Sequence, residues 1–208
     1  MQNHLKQKLQ LYTAADFIEQ RWKNGRGSTL ELAKGSDYAP ADVHSWRFSI
    51  ATLSENGSYS NFAGYQRTQV MLEGDTVQLD FAGAKKIQLH KLTQASFRGD
   101  QAVSCSLATT RTATMLNLMT ASNYLQHRLE VVSHCGPLVD LSSKVDLLFV
   151  YALQEGLTVQ VAGHCVRMKS GQLLKIDRVT QSKISLSVSA GKLPDTALAI
   201  IIKLFRDH

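Results

Sequence analysis

Apolar positions in this chain come in short alternating runs rather than at helical spacing. In the first half, runs at residues 47–53, 68–72, 76–81 and 87–92 are separated by Gly, Asn, Asp or Ser. The second half repeats the style at 147–153, 158–161, 173–176 and 184–188. Runs of this length and period predict strands, and many of them in succession predict an all-β sandwich or barrel. One helix is expected, over residues 14–20, because Thr13 and Asp16 stand where a capped helix would start. It is short, since Trp22-Lys23-Asn24-Gly25 reads as a turn. The terminal run 198–205 is long enough for a helix, but three consecutive isoleucines, Ile200 to Ile202, favour a buried strand.

An internal echo adds to this. Leu72-Glu73-Gly74 followed by Thr76-Val77-Gln78 resembles Glu155-Gly156 followed by Thr158-Val159-Gln160, and both segments run on to Ala-Gly, at Ala82-Gly83 and Ala162-Gly163. Two readings stand: convergence on good hairpin chemistry, or two copies of one barrel in a single chain.

The composition fits a globular protein with a real core: 44% hydrophobic and 19% charged residues over 208 positions. No apolar run approaches the roughly 18 residues of a membrane span, and the N-terminus has no apolar signal region, so a cytoplasmic protein away from the membrane is expected. The net charge of +6 is scattered, with Lys85-Lys86 and Lys91 the densest cluster, which argues against nucleic acid as a partner. Cys105, Cys135 and Cys165 are odd in number and form no C-x-x-C pair, so free, mostly buried thiols are expected. The seven histidines are dispersed, with no H-x-H or H-E-x-x-H, so neither a metal nor another cofactor is expected. No nucleophile elbow or phosphate loop is present, and catalytic residues stay unknown.

Candidate chemistry gathers in two places. Trp22-Lys23-Asn24-Gly25-Arg26-Gly27-Ser28-Thr29 joins an aromatic, two cations, a carboxamide and two hydroxyls around glycines. It reads either as an anion cradle of converging N–H groups or as a plain hairpin turn. In Trp46-Arg47-Phe48-Ser49-Ile50, strand alternation puts Arg47 and Ser49 on one face, toward solvent or toward a polar lumen. Arg67 heads the run before the first Glu-Gly turn; two arginines meeting in a lumen would clamp a carboxylate or need an acidic side chain.

The blocks WKNGRGST, WRFSIA, GSYSNFAGYQRT, LEG, FRGD and LNLMT, between Trp22 and Thr120, resemble in order and spacing the HutD/Ves family of bacterial bicupins. The resemblance implies two jelly-roll, cupin-like halves, 1–108 with the pocket and 109–208, without a metal. It implies a small-ligand-binding or regulatory class of protein, recognising a small acidic metabolite such as formylglutamate or acting in stress response, with a homodimer as an option. Carried over by position, the ligand-binding set is Trp22, Lys23, Asn24, Gly25, Thr29, Arg47, Ser49, Phe62, Arg67, Asn117 and Met119. The resemblance gives Lys23, Arg47 and Arg67 the neutralising role, Asn24, Thr29 and Asn117 the orienting role, and Trp22 and Phe62 the walls. The chain departs from the family pattern at Arg26, where a glycine is usual, at Ser58, where a proline is usual, and at Ala121-Ser122, where a basic pair is usual. An enzyme acting on a small acid or sugar, and a non-catalytic dimerisation scaffold, are the alternative readings.

Overall fold

The computed structural model describes residues 8–22, 27–82, 85–108, 112–138, 144–177, 184–188 and 197–206. Among them the chain forms nineteen strands and no helix. After β1 (Leu9–Tyr12) come β2 (Ile18–Arg21), β3 (Gly27–Gly35), β4 (Trp46–Leu53), β5 (Gly57–Ser58), β6 (Tyr65–Glu73), β7 (Val77–Phe81), β8 (Lys85–Leu89), β9 (Gln94–Arg98), β10 (Ser104–Leu107) and β11 (Ala113–Ala121). Strands β2 to β11 lie in one compact unit, Asp16–Gln126. They make a six-stranded sheet, ordered β2-β3-β4-β11-β6-β9, and a four-stranded one, β5-β10-β7-β8. Alternate side chains of both sheets meet in a core that includes Leu53, Met71, Leu79, Phe81, Phe97 and Met115.

The second unit joins Met1–Ala15 to His127–Arg206. Its strands are β12 (Leu125–Val132), which starts at the boundary, β13 (Gly136–Pro137), β14 (Leu147–Ala152), β15 (Leu157–Val161), β16 (His164–Met168), β17 (Leu173–Asp177), β18 (Ile184–Val188) and β19 (Ala199–Arg206). The sheets run β1-β17-β14-β19-β12 and β13-β18-β15-β16. Each strand from β12 to β19 therefore takes the place that the strand eight earlier holds in the first unit. The common pattern is a two-sheet jelly roll of the cupin-like kind, present twice. In the second copy, Leu148, Val150, Leu157, Val159, Leu174, Ile176, Leu186 and Ile201 pack into a wholly apolar cluster.

Four expectations change. Residues 14–16 form a turn and Ile18–Arg21 is a strand, paired with β3 from Ile18↔Glu31 to Arg21↔Ser28. A two-turn helix is marginal by itself, whereas these residues satisfy their backbone on a ready-made sheet edge. The Glu-Gly turns do not close hairpins: with φ of 114° at Gly74 and 72° at Gly156, they carry the chain from one sheet to the other. The hairpins follow, β7 with β8 and β15 with β16; Ala162 and Gly163, at φ 46° and 84°, make the second one a two-residue primed turn. Strand β11, which a boundary after residue 108 would give to the second half, pairs with β4 and β6 in the first. Of the three free thiols, Cys105 is buried but Cys135 and Cys165 are exposed. No described helix is long and apolar enough to cross a membrane.

Candidate functional site

The first jelly roll encloses a cavity of about 460 Å³. Strand register explains its wall. Arg47 on β4, Met119 on β11, Arg67 on β6 and Phe97 on β9 are successive cross-strand partners, forming one rung. Two residues along, on the same face, Ser49, Asn117, Gln69 and Ala95 form a second rung. Ala51, Met115 and Met71 make the apolar third.

Arg67 dominates the electrostatics. Its residue is 7% exposed, and its guanidinium carbon lies 5.3, 5.2 and 5.0 Å from the ring centroids of Tyr59, Phe62 and Phe97. Nη1 donates to the Ser60 carbonyl at 3.4 Å, and Nε, fully buried, has no hydrogen-bond partner. No described acidic side chain pairs with it. Burial pushes its pKa below the usual value, and the like charge of Arg47 acts in the same direction. Burial likewise raises the Tyr59 phenol and the neighbouring Cys105 thiol, so both stay protonated near neutral pH.

Arg47 behaves differently. Its Nε donates to Glu31 Oε2 at 2.8 Å, and Lys34 takes the other carboxylate oxygen at 3.0 Å. It lines the cavity with an acidic partner of its own, which Arg67 lacks among the described residues. For Glu31, partial burial raises the pKa but the hydrogen bonds from Lys34 and Arg47 outweigh it, and the net shift is downward. A carboxylate with a depressed folded pKa contributes stability above its unfolded value, and that contribution is lost as pH falls through the folded one. Wild type is therefore expected to exceed Glu31→Gln by on the order of 1 kcal/mol at pH 7. In urea titrations the gap should narrow as pH falls below the ordinary carboxylate range and the Glu31 carboxyl takes up a proton; a gap that stays constant with pH would assign the effect to packing.

Local structure fixes the remaining parts. Trp22 Nε1 donates to Thr29 Oγ1 at 2.8 Å, and the Trp22 N–H reaches the Gly27 carbonyl. Gly27 has to be glycine, since a Cβ there would stand 2.3 Å from the Thr52 carbonyl oxygen. At the opposite wall, Gly99 accepts the Phe62 N–H and donates to Tyr65, with no room for a Cβ: one would lie 2.1 Å from the Phe62 oxygen. That close approach sets the Phe62 ring over Arg67.

Of the sequence-derived set, Trp22, Thr29, Arg47, Ser49, Phe62, Arg67, Asn117 and Met119 all line this one cavity. Lys23, Asn24 and Gly25, with Arg26, lie outside the described residues. Sequence reasoning missed Tyr59 and Gln69, which bond to each other. Gln69 was within reach, being two residues from Arg67 on one strand and so on the same face. Gln20 and Arg21 also line the cavity; Gln20 fell in the helix expected over 14–20, and Arg21 just past its end. No described lining residue is a carboxylate, imidazole, thiol or lysine. Among the described residues no three His, Cys, Asp or Glu side chains cluster as metal ligands would.

Comparison with known proteins places these features. The sequence model of a family described as HutD matches residues 14–193. A Pseudomonas putida protein, described as an uncharacterized 21.2 kDa protein in the hutC 3' region, is 40% identical over 99 residues, 48% of this chain and 52% of the relative. Protein Ves of Escherichia fergusonii is 31% identical over 112 residues, 53% of this chain and 56% of its own. The chain thus spans about half the length of these two relatives. The structure of HutD from Pseudomonas fluorescens SBW25, in a formate condition, superposes with a TM-score of 0.78 at 27% identity, covering 97% of this chain and 100% of that one.

Proposed function

The chain belongs to the HutD/Ves family, and from that premise we propose that it binds a small organic acid in the first jelly roll, by a carboxylate held on Arg67. The observation that carries this reading is the buried guanidinium with an unpartnered Nε and no described acidic neighbour. A charge taken out of water without a counter-charge is costly, and a carboxylate entering the cavity that Arg67 lines supplies that counter-charge. Phe62, Trp22 and Met119 give the ligand apolar walls, as small-molecule pockets usually do. A metabolite of the formylglutamate kind fits this chemistry, and the hutC-region description of the P. putida relative points to histidine breakdown as the setting. The described wall offers no group suited to proton transfer at neutral pH, which favours binding over turnover.

The test is a thermal-shift and calorimetry panel of formate, acetate, glutarate, formylglutamate, matched amines and neutral sugars. Acids are expected to stabilise the protein, by about 2.7 kcal/mol at a hundred times Kd, and amines and sugars are not. Equal or absent responses across the panel would remove the proposal.

A further inference from the structure

The amide rung beside Arg67 has a fixed direction. The Met115 backbone carbonyl can only accept, so the amide that reaches it at 3.1 Å must be Asn117 Nδ2. Asn117 Oδ1 then points to Gln69 and accepts its Nε2 hydrogen. Gln69 Oε1 is left toward Tyr59, whose hydroxyl donates to it at 3.1 Å. One main-chain carbonyl therefore orients the whole row, independently of how amide atoms are assigned. The Thr114–Met115 position, where this row ends, is also where β11 shifts register against β6.

The consequence is chemical. Both carboxamide oxygens are engaged, and each NH₂ group keeps one hydrogen beyond its bond within the row. Asn117 and Gln69 are buried yet line the cavity, next to the Ser49 hydroxyl. The row offers its remaining N–H groups to an acceptor, whereas each of its carboxamide oxygens already accepts one hydrogen bond, so an ammonium is served less well there. It lies two residues along the strands from Arg67, about 7 Å, a gap that a short methylene chain crosses beside Met119.

We propose that the Ser49–Asn117–Gln69 row is a second recognition point, so that the ligand is an acid carrying a hydrogen-bond acceptor, and no cationic donor, one rung away from the carboxylate. This rests on the reading of Arg67 as the carboxylate anchor and adds the class of the ligand's other end.

Four probes of similar length separate the two ideas by calorimetry: glutarate, monomethyl glutarate, pentanoate and 4-aminobutyrate. Glutarate and monomethyl glutarate are expected to bind at least about tenfold more tightly than pentanoate, and 4-aminobutyrate more weakly than pentanoate. The neutral ester shows that the gain comes from the acceptor and not from a second charge. Asn117→Leu should reduce monomethyl glutarate to the affinity of pentanoate while leaving pentanoate itself within about threefold. Asn117→Asp should reverse the ranking of glutarate and 4-aminobutyrate. If all four acids bind alike and all depend on Arg67, the anchor stands and the second point is overturned. If none binds, the anchor fails and this inference falls with it. Loss of pentanoate binding in Asn117→Leu, with the fold intact by circular dichroism, would also overturn it, since the row would then serve the carboxylate end.

Discussion

Arg67→Met is expected to remove acid binding while leaving the unliganded protein as stable as wild type or more so. The two effects have one origin. Charge-assisted hydrogen bonds to a carboxylate contribute about 3 kcal/mol, so their loss lowers affinity roughly a hundredfold or more. Without ligand, the same guanidinium is a buried charge with an idle Nε. A methionine fills similar space between Tyr59, Phe62 and Phe97 and interacts well with rings. Relief of the desolvation cost, of the order seen when buried ions give way to apolar groups, would raise Tm by about 2–4 °C per kcal/mol in a chain of this size. The stacking lost with the cation works against this, so the floor of the expectation is no decrease. Calorimetric titration and a melting curve on the same preparation decide it. Acid binding within threefold of wild type would show that the carboxylate sits elsewhere, and a fall in Tm of many degrees would show Arg67 to be a structural element.

Gly99→Ala should have the largest effect of any one-methyl change near the cavity. The added carbon would stand 2.1 Å from the Phe62 carbonyl oxygen and 3.0 Å from its Cβ, so the backbone of one segment has to move. Overpacking against main chain costs about 3 kcal/mol. The movement also breaks the hydrogen bonds from Phe62 N–H to Gly99 and from Gly99 N–H to Tyr65, and takes the Phe62 ring off Arg67. A shared loss of stability in urea and of acid affinity is expected. The neighbouring Asp100→Ala, which removes an exposed pair with Arg98, should change stability by less than about 0.5 kcal/mol. If Gly99→Ala unfolds at the wild-type midpoint, the close approach of the two segments is not what holds Phe62.

These cases show which parts of the molecule sequence patterns could carry. The half-exposed strands were legible because alternation survives where one face meets water; β7 and β15 begin and end within a residue of expectation. Strand β11 was quoted only as a motif: eight of its nine residues are buried, so the period of two is erased. The helix at 14–20 followed from a local capping signal, but Ile18–Arg21 is settled by a partner strand that no local rule sees. For the candidate site, the family resemblance named Trp22, Thr29, Arg47, Ser49, Phe62, Arg67, Asn117 and Met119, which all line one cavity. What they left out was pairing. That Glu31 takes Arg47, sixteen residues away, whereas Arg67 keeps a free Nε, depends on register across the β3–β4 ladder and its irregularity between Glu31 and Ala33.

Strand β1 carries a consequence for synthesis. Its partners run from Leu9↔Ile176 to Tyr12↔Leu173, so β1 has to wait for a strand made only after the whole 16–126 unit. The nascent chain can complete the domain 16–126 meanwhile, with the leading segment left unpaired beside it. Closing that distant pair loops out the whole 16–126 unit, and such non-local closures are slow. Removing residues 9–12 would therefore deprive the second jelly roll of a sheet edge while sparing the cavity-bearing one.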